Sequence, residues 1–166
     1  MFVNIAMKEI MNNSLKNDIH LSNELQNILD DGVEEFDYGL ILFKQKFLIN
    51  KNFNIEKALQ IYQDKSGIEN FQNKINIDDY VFDDTSIINS GFLFLEKFNA
   101  LWQDVFPKIS CISILTFDLN EEFGLGCAFR FYRKRTGEEI YDIQNLDEYT
   151  QPIAVNVYEV SFKNEI

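Results

Sequence analysis

The chain carries one histidine, His20, and two cysteines, Cys111 and Cys127. A Ser–His or Cys–His nucleophile pair would have to be assembled around that imidazole. No G-x-S-x-G elbow and no cysteine in a protease-like context accompanies it. His20 falls just before a predicted helix and reads as a surface or capping residue. Zinc centres take clustered His and Cys, and one histidine with two hairpin thiols makes a poor set. There is no P-loop and no G-x-G-x-x-G. The run from Asp78 to Asp84 lacks the ligand spacing and central glycine of a calcium loop. Two carboxylates can act as acid and base on a glycoside, but 27 acidic residues make some such pair inevitable. No catalytic residue, metal or cofactor is expected from these residue types.

What remains is charge. Arg133, Lys134 and Arg135 form the only basic cluster, and Glu138 and Glu139 stand across a turn from them. Cross-strand charge pairing is the expected role of that cluster. The acids fall in three groups at expected loops or element ends: Asp30 to Asp37, then Asp78, Asp79, Asp83 and Asp84, then Asp118, Glu121 and Glu122. For any one group, an ordinary solvated loop is the simpler reading. Together the groups offer a surface for a basic macromolecule. The net charge of −12, from 27 acids and 15 bases, repels phosphate backbones and acidic membranes and attracts basic partners. Nucleic acid and membrane are therefore not expected partners.

These groups have to be carried by a fold. Runs of β-branched and aromatic residues at Ile109 to Asp118 and Gly124 to Arg135 predict a hairpin. Glu138 to Ile143 is expected to be a short strand after a Thr136–Gly137 turn, Asn145 to Tyr149 a helical turn, and Ile153 to Phe162 a last strand. The earlier part reads as helical. Val3, Ala6, Met7, Ile10 and Met11 recur at helical spacing. Ser22 can cap a helix striped by Leu21, Leu25, Ile28 and Leu29, with Gly32 closing it. Phe36, Leu40, Phe43 and Phe47 place a helix over Tyr38 to Asn50, although LILF alone would suit a buried strand. Asn54 caps a helix to about Lys65 with Gly67 beyond its end, and Ile68 to Tyr80 reads as a short helix entering a loop. Thr85 or Ser86 starts the longest helix, whose face runs through Ile88, Phe92, Leu95, Phe98, Leu101, Trp102, Val105 and Phe106 until Pro107 stops it. The expectation is one α+β domain over residues 1–166, an α-helical N-terminal two thirds packed on a C-terminal antiparallel β-sheet.

With 166 residues, 46% apolar and 16 of them Phe, the chain has enough mass for a sizeable core. Cys111 and Cys127 are expected as buried, reduced thiols in the two hairpin strands, close enough for a bridge to be conceivable. The N-terminus MFVNIAMKEI lacks a basic n-region, and its apolar run is broken by Asn4 and Lys8. That argues against a signal peptide and for the cytoplasm.

Acidity, small size, the missing catalytic set and a helical start with a β-rich end, including FYRKRTGEEIYDIQNLDEYTQPIAVNVYEV from Phe131 to Val160, resemble the immunity proteins of bacterial contact-dependent growth inhibition (polymorphic toxin) systems. The resemblance implies a cytoplasmic, non-enzymatic protein that binds a cognate basic toxin domain, often a nuclease, and occludes its active site. In that reading Asp78, Asp79, Asp83, Asp84, Asp118, Glu121 and Glu122 meet the toxin's Lys and Arg. The alternatives are a carboxylate-dependent hydrolase and a homo-oligomeric, for example dimeric, interaction module built on Phe and Tyr.

Overall fold

The computed structural model describes residues 1–13, 19–48, 53–120 and 124–160. Its centre is the expected hairpin. Strand β5 (Cys111–Asn120) pairs antiparallel along its whole length with β6 (Gly124–Arg133). Strand β7 (Ile153–Tyr158) joins the other side of β5. Two short strands from earlier in the chain close the edges, β1 (Phe2–Val3) beside β7 and β4 (Ile75–Asn76) beside β6. The five-stranded order is thus β1-β7-β5-β6-β4. Alternation along β5 and β6 sends Cys111, Leu115, Phe117, Cys127, Phe129 and Phe131 to one face, and Ile112, Ile114 and Tyr132 to the other.

The first face is the main core. Helix α6 (Asp84–Val105) crosses it, burying Ile87, Phe94, Leu95, Phe98 and Trp102. Six aromatic rings interlock: Phe98 lies 4.5 Å from Phe131 and 4.9 Å from Phe129, and Phe43 lies 5.1 Å from Phe131, with Phe94 and Trp102 alongside. Such contacts contribute about 0.5–1.5 kcal/mol per pair beyond their area. Gly91 lets the helix sit down on the sheet, since an added Cβ would lie 2.8 Å from Cys127 Sγ. The helix starts one or two residues earlier than expected because Asp83 caps it, accepting from the Ser86 N–H at 2.9 Å. Its buried face is also turned from the expected one: Ser90 and Gly91 are inside, whereas Val105 is 43% exposed.

Several local expectations hold. Ser22 caps α2 (Asn23–Asp31), Gly32 closes it at φ 79°, and Leu25, Ile28 and Leu29 are buried. Asn54 caps α4 (Ile55–Tyr62). A six-residue 3₁₀ segment, Ile143–Glu148, replaces the helical turn, while 138–142 form no strand. The first helix is shorter than expected. Asn4 interrupts it, accepting from Met7 N–H and Ile153 N–H and donating to the carbonyls of Tyr149 and Gln151. Val3 therefore lies in β1, and α1 spans Ile5–Asn13. The two thiols are buried and free, but they lie six residue pairs apart along the hairpin, Cys111 opposite Arg133 and Cys127 opposite Phe117.

The helix expected over Tyr38 to Asn50 is not formed as one element. Leu40–Phe43 is strand β3, paired with β2 (Val33–Phe36) in a separate two-stranded sheet; a 3₁₀ turn, Asp37–Gly39, joins the two strands, and Lys44–Leu48 is α-helical (α3). Residues 49 and 50 lie outside the described residues. The reason is burial on both faces. Ile41 and Phe43 join the main core, while Leu40 and Leu42 pack with Ala58 and Ile68. A strand covered on both sides shows no alternation in sequence. The helix expected to reach Lys65 likewise stops at Tyr62. Gln63 adopts φ 70°, and Asp64 caps a new helix, α5 (Lys65–Gln72), with Gly67 in its first turn rather than beyond an end.

Candidate functional site

Helix α5 joins the two sheets through side chains. Glu69 is 0% exposed and accepts from Ile41 N–H at 2.8 Å and Arg133 N–H at 2.7 Å. One turn on, Asn73 accepts from Phe43 N–H and donates to the carbonyls of Ile41 and Phe131. The carboxylate and the amide thus stand where a strand between β3 and β6 would stand. Arg135 completes the group with a two-pronged contact to Glu69 at 2.7 and 2.9 Å and a bond to the Gly39 carbonyl. Burial pushes the Glu69 carboxyl above the ordinary carboxylate value, while Arg135 and the two backbone N–H groups pull it back. Every oxygen of Glu69 is occupied by these structural bonds, and it lines neither cleft of the sheet's outer face.

The basic cluster is therefore paired, but not as expected. Arg135 takes Glu69 as its main partner, with Glu138 at 3.9 Å. Lys134 pairs with Glu159, Arg133 lies 3.9 Å from Glu35, and Glu139 is exposed. Nothing local marked Glu69, which is 66 residues from Arg135.

The acidic groups separate into two places. Asp78 accepts the Cys127 N–H at 2.8 Å, which sets the 3₁₀ turn Ile77–Asp79 against β6. Asp118 stands opposite Gly126, the next residue on that strand, and shares a cleft with Asp78. Gly91 of α6 meets Cys127. From there the helix runs seven residues back to Asp84, about 10 Å. The hairpin runs three residues from Cys127 to its end, also about 10 Å. Asp78, Asp79, Asp83, Asp84 and Asp118 therefore gather at one end of the molecule. Glu121 and Glu122 lie outside the described residues. The group from Asp30 to Asp37 does not join them: Glu35 lies beside Arg133, roughly 30 Å along the hairpin from its tip.

Not all five carboxylates face solvent freely. Asp78 is half-buried on its backbone donor. Asp83 caps α6, and its bonds to Ser86 hold its carboxyl below the ordinary value. Asp79 accepts from the Asn76 amide at 3.3 Å. Asp84 and Asp118 are exposed. Two apolar side chains stand among them. Phe82 is 93% exposed between Val81 and Asp83, and Leu119 is 71% exposed beside Asp118. Neither stands out by residue type alone; the available signal for Phe82 is an aromatic residue flanked by four acids in a loop, DDYVFDD.

Among the described residues, a larger and a smaller cleft lie on the outer face of the sheet. The larger, of about 840 Å³, lies between Ile112, Tyr132 and the segment 134–144. Its cations Lys134 and Arg135 are both paired. The smaller, of about 570 Å³, lies over Thr116, Gly126 and Ala128 and includes Asp78 and Asp118. His20 is exposed and away from both. Among the described residues no His, Cys, Asp and Glu side chains converge as a metal set, and no helix is long and apolar enough to cross a membrane.

Fold and site together define an α+β protein with an acidic end that presents two bare apolar side chains. The chain belongs to the Uncharacterized protein PM0498 family, whose family model matches residues 2–164. It is similar to the Uncharacterized protein PM0498 of Pasteurella multocida (strain Pm70), 31% identical over 146 residues, which cover 87% of this chain and 88% of the relative. No solved structure matches the chain.

Proposed function

We propose that this chain is a cytoplasmic immunity protein that binds a basic toxin domain and neutralises it by covering its active site. The observation that carries the reading is the acidic end, where Asp79, Asp84 and Asp118 are exposed and so are Phe82 and Leu119, each next to an aspartate in the chain. Interface anchors are typically aromatic and apolar side chains seated in a partner's pocket within a polar rim. A bare Phe in a loop flanked by carboxylates suits a pocket bordered by Lys and Arg. The net charge of −12 adds long-range attraction, which raises association toward roughly 10⁸–10⁹ M⁻¹s⁻¹ at low salt, against 10⁵–10⁶ without steering. A toxin that reaches the cytoplasm does damage until it is captured, so speed has value there.

The test pairs the chain with a basic toxin domain encoded next to its gene. Asp79→Lys, Asp84→Lys and Asp118→Lys together should slow association at low salt by at least about tenfold, with the thermal melt unchanged. Phe82→Ala should instead speed dissociation. Equal on-rates for variant and parent, or survival of toxin-exposed cells that lack the chain, would remove the reading.

A further inference from the structure

Lys74 and Arg130 face each other on the outer side of the sheet. Strand β4 pairs Ile75 with Phe129 and Asn76 with Ala128, so the next antiparallel step sets Lys74 beside Arg130. Alternation puts both on the side of Asn76 and Ala128, and both line the 570 Å³ cleft. Like charges opposite one another on a sheet destabilise it. Among the described residues neither has a carboxylate within 4 Å or a hydrogen bond from its side chain. The other basic residues of β6 and its exit, Arg133, Lys134 and Arg135, each have an acidic partner. In a chain with 27 acids, two unpaired cations side by side in a concavity mark a place for an anion from outside.

The rest of the cleft narrows what carries that anion. Its floor is Thr116, Ala128 and Gly126, small residues that let another main chain approach. At its far end stands Asp118, on the same face as Arg130, because Ile114 pairs with Arg130 and Asp118 lies four residues further along β5. Four residues of strand span about 13 Å. A second negative charge there would be repelled and a positive one held. Asn70 also lines the cleft, and its buried Oδ1 has no hydrogen-bond donor. The volume is within the range of about 300–1,000 Å³ usual for ligand pockets.

We propose that this cleft binds an extended polypeptide segment that carries a carboxylate side chain and, four residues away, a cationic one. Lys74 and Arg130 hold the carboxylate, Asp118 holds the cation, and the intervening residues lie over Thr116 and Ala128. Residues four apart in an extended segment share a face and span the same distance as the two charged ends of the cleft. The inference shares Asp118 with the acidic end but does not rest on the toxin reading, because it is carried by Lys74, Arg130 and a floor that the toxin reading does not use.

The probe is an end-capped pentapeptide, Lys-Ala-Ser-Ala-Glu, titrated into the ¹⁵N-labelled full chain. Saturable shifts are expected at the Thr116, Gly126 and Ala128 amides. The double variant Lys74→Gln with Arg130→Gln should bind at least tenfold more weakly with an unchanged melt, and so should the parent toward a peptide with Gln in place of Glu. Equal affinity for parent and double variant, equal affinity for the Gln peptide, or no saturable shift would overturn the proposal. So would acetate binding as tightly as the peptide, which would leave a simple anion site. A toxin domain whose binding ignores Lys74 and Arg130 while the peptide fails would sink this inference and leave the toxin reading intact. Peptide binding with no toxin partner would do the reverse.

Discussion

Glu69 offers the sharpest test of how the two sheets are held together. The carboxylate is fully buried and has two separate duties, one toward the Arg135 guanidinium and one toward the N–H groups of Ile41 and Arg133. Removing one partner of a buried ion pair costs about 3–5 kcal/mol. Each stranded buried N–H costs about 1–3 kcal/mol more, and the terms overlap because groups in one network do not add. Glu69→Leu should therefore lose about 5 kcal/mol, comparable to the whole stability of many domains, about 5–15 kcal/mol. The double variant Glu69→Leu with Arg135→Leu separates the duties. Replacing a buried pair by apolar groups is often close to neutral, so the ionic part should be recovered. The backbone part should remain, about 2–4 kcal/mol for two N–H groups without acceptors. Urea unfolding followed through the only tryptophan, Trp102, which is 1% exposed in the core, reads both numbers. A double variant within about 1 kcal/mol of the parent would refute the argument, because the carboxylate would then not be needed in place of a missing strand.

Asp83→Asn should change the acid profile rather than the cap, since Asn caps helices as well as Asp. The folded-state pKa of Asp83 lies below its ordinary 3.8, so its contribution is present above that value and is lost as pH falls through the lowered one. Parent and variant should therefore differ in urea stability at neutral pH and converge in strong acid; a constant gap at every pH would contradict the assignment. Gly91→Ala tests the seat of α6. Overpacking costs about 1–3 kcal/mol against a helix-propensity gain of up to about 1 kcal/mol, so a net loss is expected. Adding Cys127→Ala, which removes the sulfur 2.8 Å from the new Cβ, should return part of it. Simple additivity of the two changes would argue against that contact.

The local features were legible because local chemistry makes them. Ser22 and Asn54 cap helices with bonds that reach three residues ahead. The β5–β6 hairpin and α6 are long enough for their patterns to speak, and each buries a large share of the core. Leu40–Phe43 was not legible. Four consecutive apolar residues suit either element, and pairing with β2, the bonds to Glu69 and Asn73 and the packing on both faces turn them into a strand.

The candidate site divides in the same way. Composition alone determined that the chain is strongly acidic and apolar enough to fold, and residue types alone named the acidic loops. Only the tertiary structure decided that Asp78 to Asp84 and Asp118 meet at one end while Glu35 sits beside Arg133, and that Phe82 and Leu119 stay bare among them. It alone set Lys74 opposite Arg130. Caps and periodicity act over a few residues, which sequence records directly. Pairing between Asp78 and β6, or between Glu69 and Arg135, spans 49 and 66 residues and depends on which surfaces the core brings together.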